Sequence, residues 1–219
     1  MDPTPPISCT GLEPALADLV IDAARQAVMS LELGPALGAL ELCADDLPGA
    51  TGAWLRLRRA RAGGLPELTL YCHPEAFLAP RPATGTVFPP RAVWDRPDPA
   101  AAEPPPTAAA FARARADAFL HHHLLWAADA VGGVLRPSQV PASLTEGFTA
   151  CWAVHVDGRL ERRGLPGFGL AERRGCFSRL FSTGGILMPG HWESFQALWE
   201  GRYERPREVL AVVRSLPGL

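Results

Sequence analysis

Three consecutive histidines, His121, His122 and His123, stand in the stretch Ala112–Val131 (ARARADAFLHHHLLWAADAV) and make up half of the six in the chain. Imidazole is the side chain best suited to hold a transition metal or to move a proton near neutral pH. Asp129 follows His122 by seven residues, which on a helix sets the two about 20° apart around the axis and about 10 Å apart along it. Such a pair is half of a mixed histidine–carboxylate zinc shell, to be completed by His155 or His191 from later helices. His122, Asp129, His155 and His191 are therefore the candidate metal ligands. The competing reading gives all three adjacent histidines structural roles. In it, His123 is half-buried and hydrogen-bonded beside Trp126, and His121 forms a surface pair with Asp117 one turn earlier.

Helical spacing sorts the rest of this stretch into faces. Ala116, Leu120, Leu124, Ala127 and Val131 form an apolar stripe, with Phe119, His123, Trp126 and Ala130 flanking it. Arg115, Ala118, His122, Leu125 and Asp129 lie opposite and are expected on a polar face. On such a face His122→Ala would change stability little.

A histidine-bearing helix of this kind, placed after an N-terminal helix and a small sheet, resembles the active-site helix of the zincin-like metallopeptidases. Their motif is HExxH, in which two histidines one turn apart bind zinc and the glutamate activates the metal-bound water. Aligned from His122, this chain reads His122-His123-Leu124-Leu125-Trp126. His123 stands in place of the glutamate and Trp126 in place of the second histidine. Starting at His121 or His123 puts Leu125 or Ala127 at the second ligand instead. Tryptophan cannot ligate zinc, and a neutral imidazole is a poor substitute for the carboxylate base. The resemblance thus implies a zincin-like scaffold that has lost its standard site, with His123 and Trp126 in the former cleft. It would act as a non-catalytic binding or regulatory module for an unidentified protein or peptide partner. The alternative is a metal-dependent hydrolase with a non-standard site around His122 and Asp129. No catalytic residue can be named, and no cofactor is predicted; zinc is the metal the four candidate ligands would take.

Other chemistry is poorly represented. There is no GxSxG elbow and no GxxxxGK[ST] or GxGxxG loop. The five cysteines (Cys9, Cys43, Cys72, Cys151, Cys176) include no CxxC pair, which predicts reduced, mostly buried thiols in a cytoplasmic protein. Arg162-Arg163 and Arg173-Arg174 bracket a Gly/Pro-rich loop, as a small anion patch or as solvated helix ends. Trp152, Trp192 and Trp199 lie among Phe148, Phe177, Phe181 and Phe195, as an aromatic core or as a groove.

The elements that must position these residues follow from periodicity. Leu12–Leu33 is expected to be a helix ended by Gly34-Pro35. Leu37–Cys43 is ambiguous between strand and short helix; Ala53–Arg59 and Glu67–Cys72 are strands joined by a turn over residues 62–66. From Ala79 to Thr107 nine prolines predict a long loop, pinned by Phe88 and Trp94. After the histidine helix, Ser143-Leu-Thr-Glu146 reads as a capping box for a helix through about Val154–Val156, with Asp157-Gly158 closing it or making a tight turn. Short helices are expected over Ala171–Phe181 and His191–Glu200, and a last one opens at Pro206. The fold class is α+β: an N-terminal helix, a small sheet of about three strands, a Pro-rich excursion and a mainly helical C-terminal half. Residues 1–219 are expected to form one compact domain, with 1–78 as helix plus sheet, 79–107 as loop and 108–219 as the helical part.

Composition bounds the rest. All 21 basic residues are arginine, a pattern of GC-rich bacterial coding, and the net charge of -2 argues against a nucleic-acid partner. No apolar run approaches the length of a membrane span, so no membrane association is expected, and the first residues resemble no signal peptide. Residues 1–50 hold eight acids against Arg25, whereas ten arginines face seven acids from Val156 onward. This asymmetry predicts complementarity between the two ends of the chain in preference to an anionic partner.

Overall fold

The computed structural model describes residues 4–44, 53–58, 64–79, 107–182 and 186–216. The α+β class expected from sequence is what the chain adopts. Strand β1 (Ile7–Thr10) leads into helix α1 (Pro14–Ser30), then β2 (Ala39–Ala44), β3 (Trp54–Arg58) and β4 (Glu67–Cys72). Five helices follow: α2 (Arg113–Val131), α3 (Thr145–Arg162), α4 (Leu170–Phe181), α5 (Pro189–Trp199) and α6 (Pro206–Ser215). The Pro-rich interval, with Phe88 and Trp94, lies outside the described residues, as does most of the turn before β4.

The four strands run in the order β1-β2-β4-β3. Strands β1, β2 and β4 are parallel, and β3 pairs antiparallel with β4 at the end of the sheet. The expected three strands became four because β1, only ISCT, alternates too briefly to stand out beside the prolines before it. The ambiguous Leu37–Cys43 stretch resolves as strand β2. Its Leu40 and Leu42 are buried while Glu41 is exposed, an alternation that a one-faced sheet requires. Leu68, Leu70 and Cys72 of β4 face the same core, and α1 covers it with Leu16, Val20, Ala23, Ala27 and Val28.

Helix α1 is shorter than the periodicity implied. The Glu13 carboxylate accepts from the Ala15 amide at 3.2 Å and Pro14 takes the first position. At the other end Glu32 sits at φ 56, so the chain has already left the helix before Gly34-Pro35. Helix α3 differs in the opposite sense. Ser143 does not cap it: the helix starts at Thr145, after a 3-10 turn at Ala142–Leu144. Nor do Asp157 and Gly158 end it, because it continues to Arg162. Gly158 is a helix-interior residue chosen for proximity. A Cβ there would run into the Trp199 carbonyl, so the missing side chain is what lets α5 lie against α3.

The ion pairs of the described residues do not follow the expected end-to-end pattern. Among the described residues, ion pairs join Arg113 to Asp22 and Asp117, Arg159 to Asp129, and Arg173 to Asp157. None joins an acid of residues 1–50 to an arginine beyond Val156; the one polar link of that kind is Arg163 Nη2 to the Ser30 carbonyl at 3.5 Å. Among the described residues, no helix is long and apolar enough to cross a membrane.

Candidate functional site

Helix α2 carries the site, and it is buried nearly all the way round. Besides its apolar stripe, His121, His122, Leu125 and Asp129 are all below a tenth exposed. The face expected to be polar and solvated is instead roofed by α3 and α4. It tolerates burial because each polar group on it meets a partner.

His122 meets Asp157 of α3. The imidazole Nδ1 lies 3.0 Å from Asp157 Oδ1, which also accepts from the Phe168 amide at 3.2 Å. The other carboxylate oxygen accepts from Arg173 Nε of α4. Arg173 Nη2 in turn stands 3.2 and 3.3 Å from the two ring nitrogens of His122, and the guanidinium lies 4.4 Å over the Phe168 ring. Asp157 is 1 % exposed, so one carboxylate ties α2, the α3–α4 loop and α4 together out of water. Burial pushes the His122 imidazole below its ordinary range; Asp157 opposes that shift and Arg173 adds to it. The ring is thereby neutral at pH 7, donating from Nδ1 to Asp157.

The other candidates are drawn elsewhere. Asp129 accepts from Arg159 Nη1 at 2.9 Å, from Arg159 Nη2 at 2.5 Å and from Trp152 Nε1 at 3.2 Å. His155 is buried on α3 with its ring 4.9 Å from that of Trp152, and its Nδ1 has no hydrogen-bond partner among the described residues. His191 is buried at the start of α5, where Nδ1 accepts from the Met188 amide at 3.1 Å. Each of the four proposed ligands thus has contacts of its own, with Asp129 and His155 both meeting Trp152. Among the described residues no group of three or more His, Cys, Asp or Glu side chains is placed to hold a metal ion. In this arrangement the Arg173 guanidinium stands 3.2 and 3.3 Å from the two His122 ring nitrogens, and Asp129 is paired with Arg159.

His121 is no surface pair. Its Nδ1 lies 2.7 Å from the Asp117 backbone carbonyl and its Nε2 lies 2.8 Å from Ser30 Oγ of α1, while the Asp117 carboxylate goes to Arg113. It latches α2 to α1. His123 is half-buried, as expected, with its ring 4.4 Å from Phe119 and 4.9 Å from His122. Burial, then the neighbouring His122 and Arg173, holds it well below the ordinary histidine range. Trp126 is half-buried next to it, and its Nε1 has no partner among the described residues.

His122, His123 and Trp126 line a cleft of about 1510 Å³. Leu55 and Leu57 of β3, Phe119 of α2, Ala153 of α3 and Phe168 supply apolar wall, and Arg173 reaches it from α4. The sequence flagged α2, His123 and Trp126 as this wall, but missed Asp157 and Arg173. Asp157-Gly158 reads locally as a turn, and Arg173-Arg174 as a solvated pair. The one available signal was an acid followed by glycine inside a helical repeat whose neighbours Trp152, Val156 and Leu160 are all apolar. No family model matches the chain, and no curated protein or solved structure matches it either.

Two predictions follow directly from these contacts. His122→Ala should cost about 1–3 kcal/mol, measured by urea unfolding, because it removes a buried hydrogen-bonded ring and leaves a void against Phe168. An unchanged midpoint would return His122 to the solvated face the sequence implied. The second concerns pH. Burial, with Arg159 and Arg162 nearby, lowers His155 to about 4. The unfolded side chain titrates near about 6.5. Across that window the unfolded chain binds a proton the folded chain refuses, so stability present at neutral pH falls as pH drops from 6.5 toward 4. His121, His122 and His123 shift in the same direction and reinforce the loss. Urea midpoints that stay level between pH 7.5 and 4.5 would contradict it.

Proposed function

We propose that this chain is a zincin-like binding module without peptidase chemistry, which holds a protein or peptide partner in the cleft along α2. The observation that carries the reading is the Arg173 guanidinium, fixed by Asp157 against both ring nitrogens of His122. A cation stands where a metal-binding histidine would present its lone pair. The zincin-like part is supported by order and position. A helix and a small sheet precede the histidine helix, which lines one cleft together with the end strand of that sheet. The binding part is supported by the cleft itself, whose wall mixes apolar side chains with the polar groups of both helices and loops.

Elemental analysis of untagged protein, purified without chelators or metal resins, tests this. The expected result is no stoichiometric transition metal and no thermal shift on adding zinc. A stoichiometric metal that disappears in His122→Ala would overturn the reading and turn attention to a metal-dependent hydrolase with a site around His122 and Asp129, to be tested by substrate screens.

A further inference from the structure

The sheet has a second face, and its charges are sorted by strand. Leu40, Leu42, Leu68 and Leu70 turn toward the core, so the alternate residues of the same strands turn the other way. On that outer face β3 presents Trp54, Arg56 and Arg58, all exposed, while β2 and β4 present Glu41 and Glu67, also exposed. Bases thus stand on the last strand and acids on the two inner ones. Among the described residues neither Arg56 nor Arg58 is in an ion pair. Trp54 is 42 % exposed and lies flat on Tyr71, with the Arg56 guanidinium beside both rings. Tryptophan, tyrosine and arginine are the side chains that most often anchor protein–protein contacts.

The sorting selects the partner. A uniformly acidic surface would meet the two arginines but be repelled by Glu41 and Glu67, and a uniformly basic one would meet the reverse. Opposite strips call for a partner with the same strips in reversed order, which is what a two-fold axis makes of a second copy. The register makes the match residue by residue: Trp54, Arg56 and Arg58 are the cross-strand neighbours of Tyr71, Thr69 and Glu67. An axis along the strands, between β3 and β4, lays each β3 over the β4 of the other copy and keeps these rows. Each Arg58 then faces a Glu67, each Arg56 a Thr69 with Glu41 next to it, and each Trp54 a Tyr71. We infer that the outer face of the sheet is the interface of a two-fold symmetric dimer, with Arg58 of each copy set against the partner's Glu67. This does not depend on what the cleft holds.

Four strands cover only about 15 Å across and about 20 Å along, so the contact is small and the association weak. Sedimentation velocity on the full chain, from about 5 to about 500 µM, covers the range of such a complex. A dimer fraction that rises with concentration and recedes at high salt is expected. Arg58→Glu and Glu67→Arg each set like charges face to face and should weaken association about tenfold or more. Mixed in equal amounts, the two variants put opposite charges at both contacts, and the mixture should dimerise again. Both positions are exposed, and matching circular dichroism spectra check that the fold is kept. A monomer at every concentration overturns the inference and leaves this face to a different partner. A dimer indifferent to both charge reversals also overturns it, since another surface is then in use, and so does a mixture that stays monomeric.

Discussion

Replacing Asp157 with alanine is expected to destabilise the protein by about 3–5 kcal/mol, the cost of leaving a buried cation without its partner. Asp157 is 1 % exposed and serves three donors at once: the His122 ring, the Phe168 amide and Arg173. Its removal strands the Arg173 guanidinium beside His122 and orphans the Phe168 amide. Asp157→Asn separates charge from shape: an amide oxygen can still accept, but the ion pair is gone, so the loss should be smaller and still measurable. Adding Arg173→Met to Asp157→Ala should recover part of the stability, since an apolar pair in place of an ionic one is often neutral. Denaturant unfolding of the four proteins gives the answer. A double variant no better than Asp157→Ala would mean the ion pair is not what holds α2, α3 and α4 together.

Gly158→Ala should also be damaging, although it replaces the poorest common helix former with the best. The gain in propensity is about 1 kcal/mol. Against it stands a collision of the new Cβ with the Trp199 carbonyl, carbonyl carbon and Cα, all backbone atoms of α5. Arg162 Nη1 donates to that same carbonyl, and Trp199 Nε1 donates to Glu161 at 2.5 Å, so α5 cannot move aside without breaking both bonds. Overpacking of this sort costs about 1–3 kcal/mol, and rigid backbone puts it at the upper end. The net expectation is a loss of about 2 kcal/mol in urea unfolding, with Trp199 fluorescence altered in the folded state. A variant as stable as the parent would show that α5 is free to slide along α3.

How much of this was legible in the sequence follows from what each residue's partners are. Periodicity depends on the element alone, which is why α2, α4, α5 and α6 fall close to where spacing puts them. The same is true of β3 and β4, which alternate. Asp157 and Gly158 are opposite cases. Aspartate followed by glycine ends helices when the surroundings are water. Here Asp157 is stabilised by Arg173, sixteen residues on, and Gly158 by Trp199, forty-one residues on. A local reading has no access to either. His122 failed for the same reason: helical spacing gave its direction correctly, opposite the apolar stripe, but Asp157 of α3 and Arg173 of α4 cover it there. His121 and Asp117 are indeed one turn apart, yet the contact uses the backbone carbonyl, leaving the carboxylate to Arg113. The histidines do sit where several elements meet, His121 against Ser30 of α1 and His122 against Asp157 of α3. What its members do there was set by residues with no motif of their own.

The outer face of the sheet has a consequence for life in a crowded solution. Strand β3 is the last strand among the described residues, and a last strand offers unpaired backbone groups to any other extended chain. Three of its five residues discourage that. Trp54 lies flat on Tyr71 at 3.8 Å, with the Arg56 guanidinium 5.3 and 5.2 Å from the two rings, and Arg58 is set opposite Glu67. A second molecule adding itself edge to edge would bring a like row of arginines against this one and bury their charge. The strand that helps wall the cleft thus also carries charge that disfavours edge-to-edge pairing with a second copy.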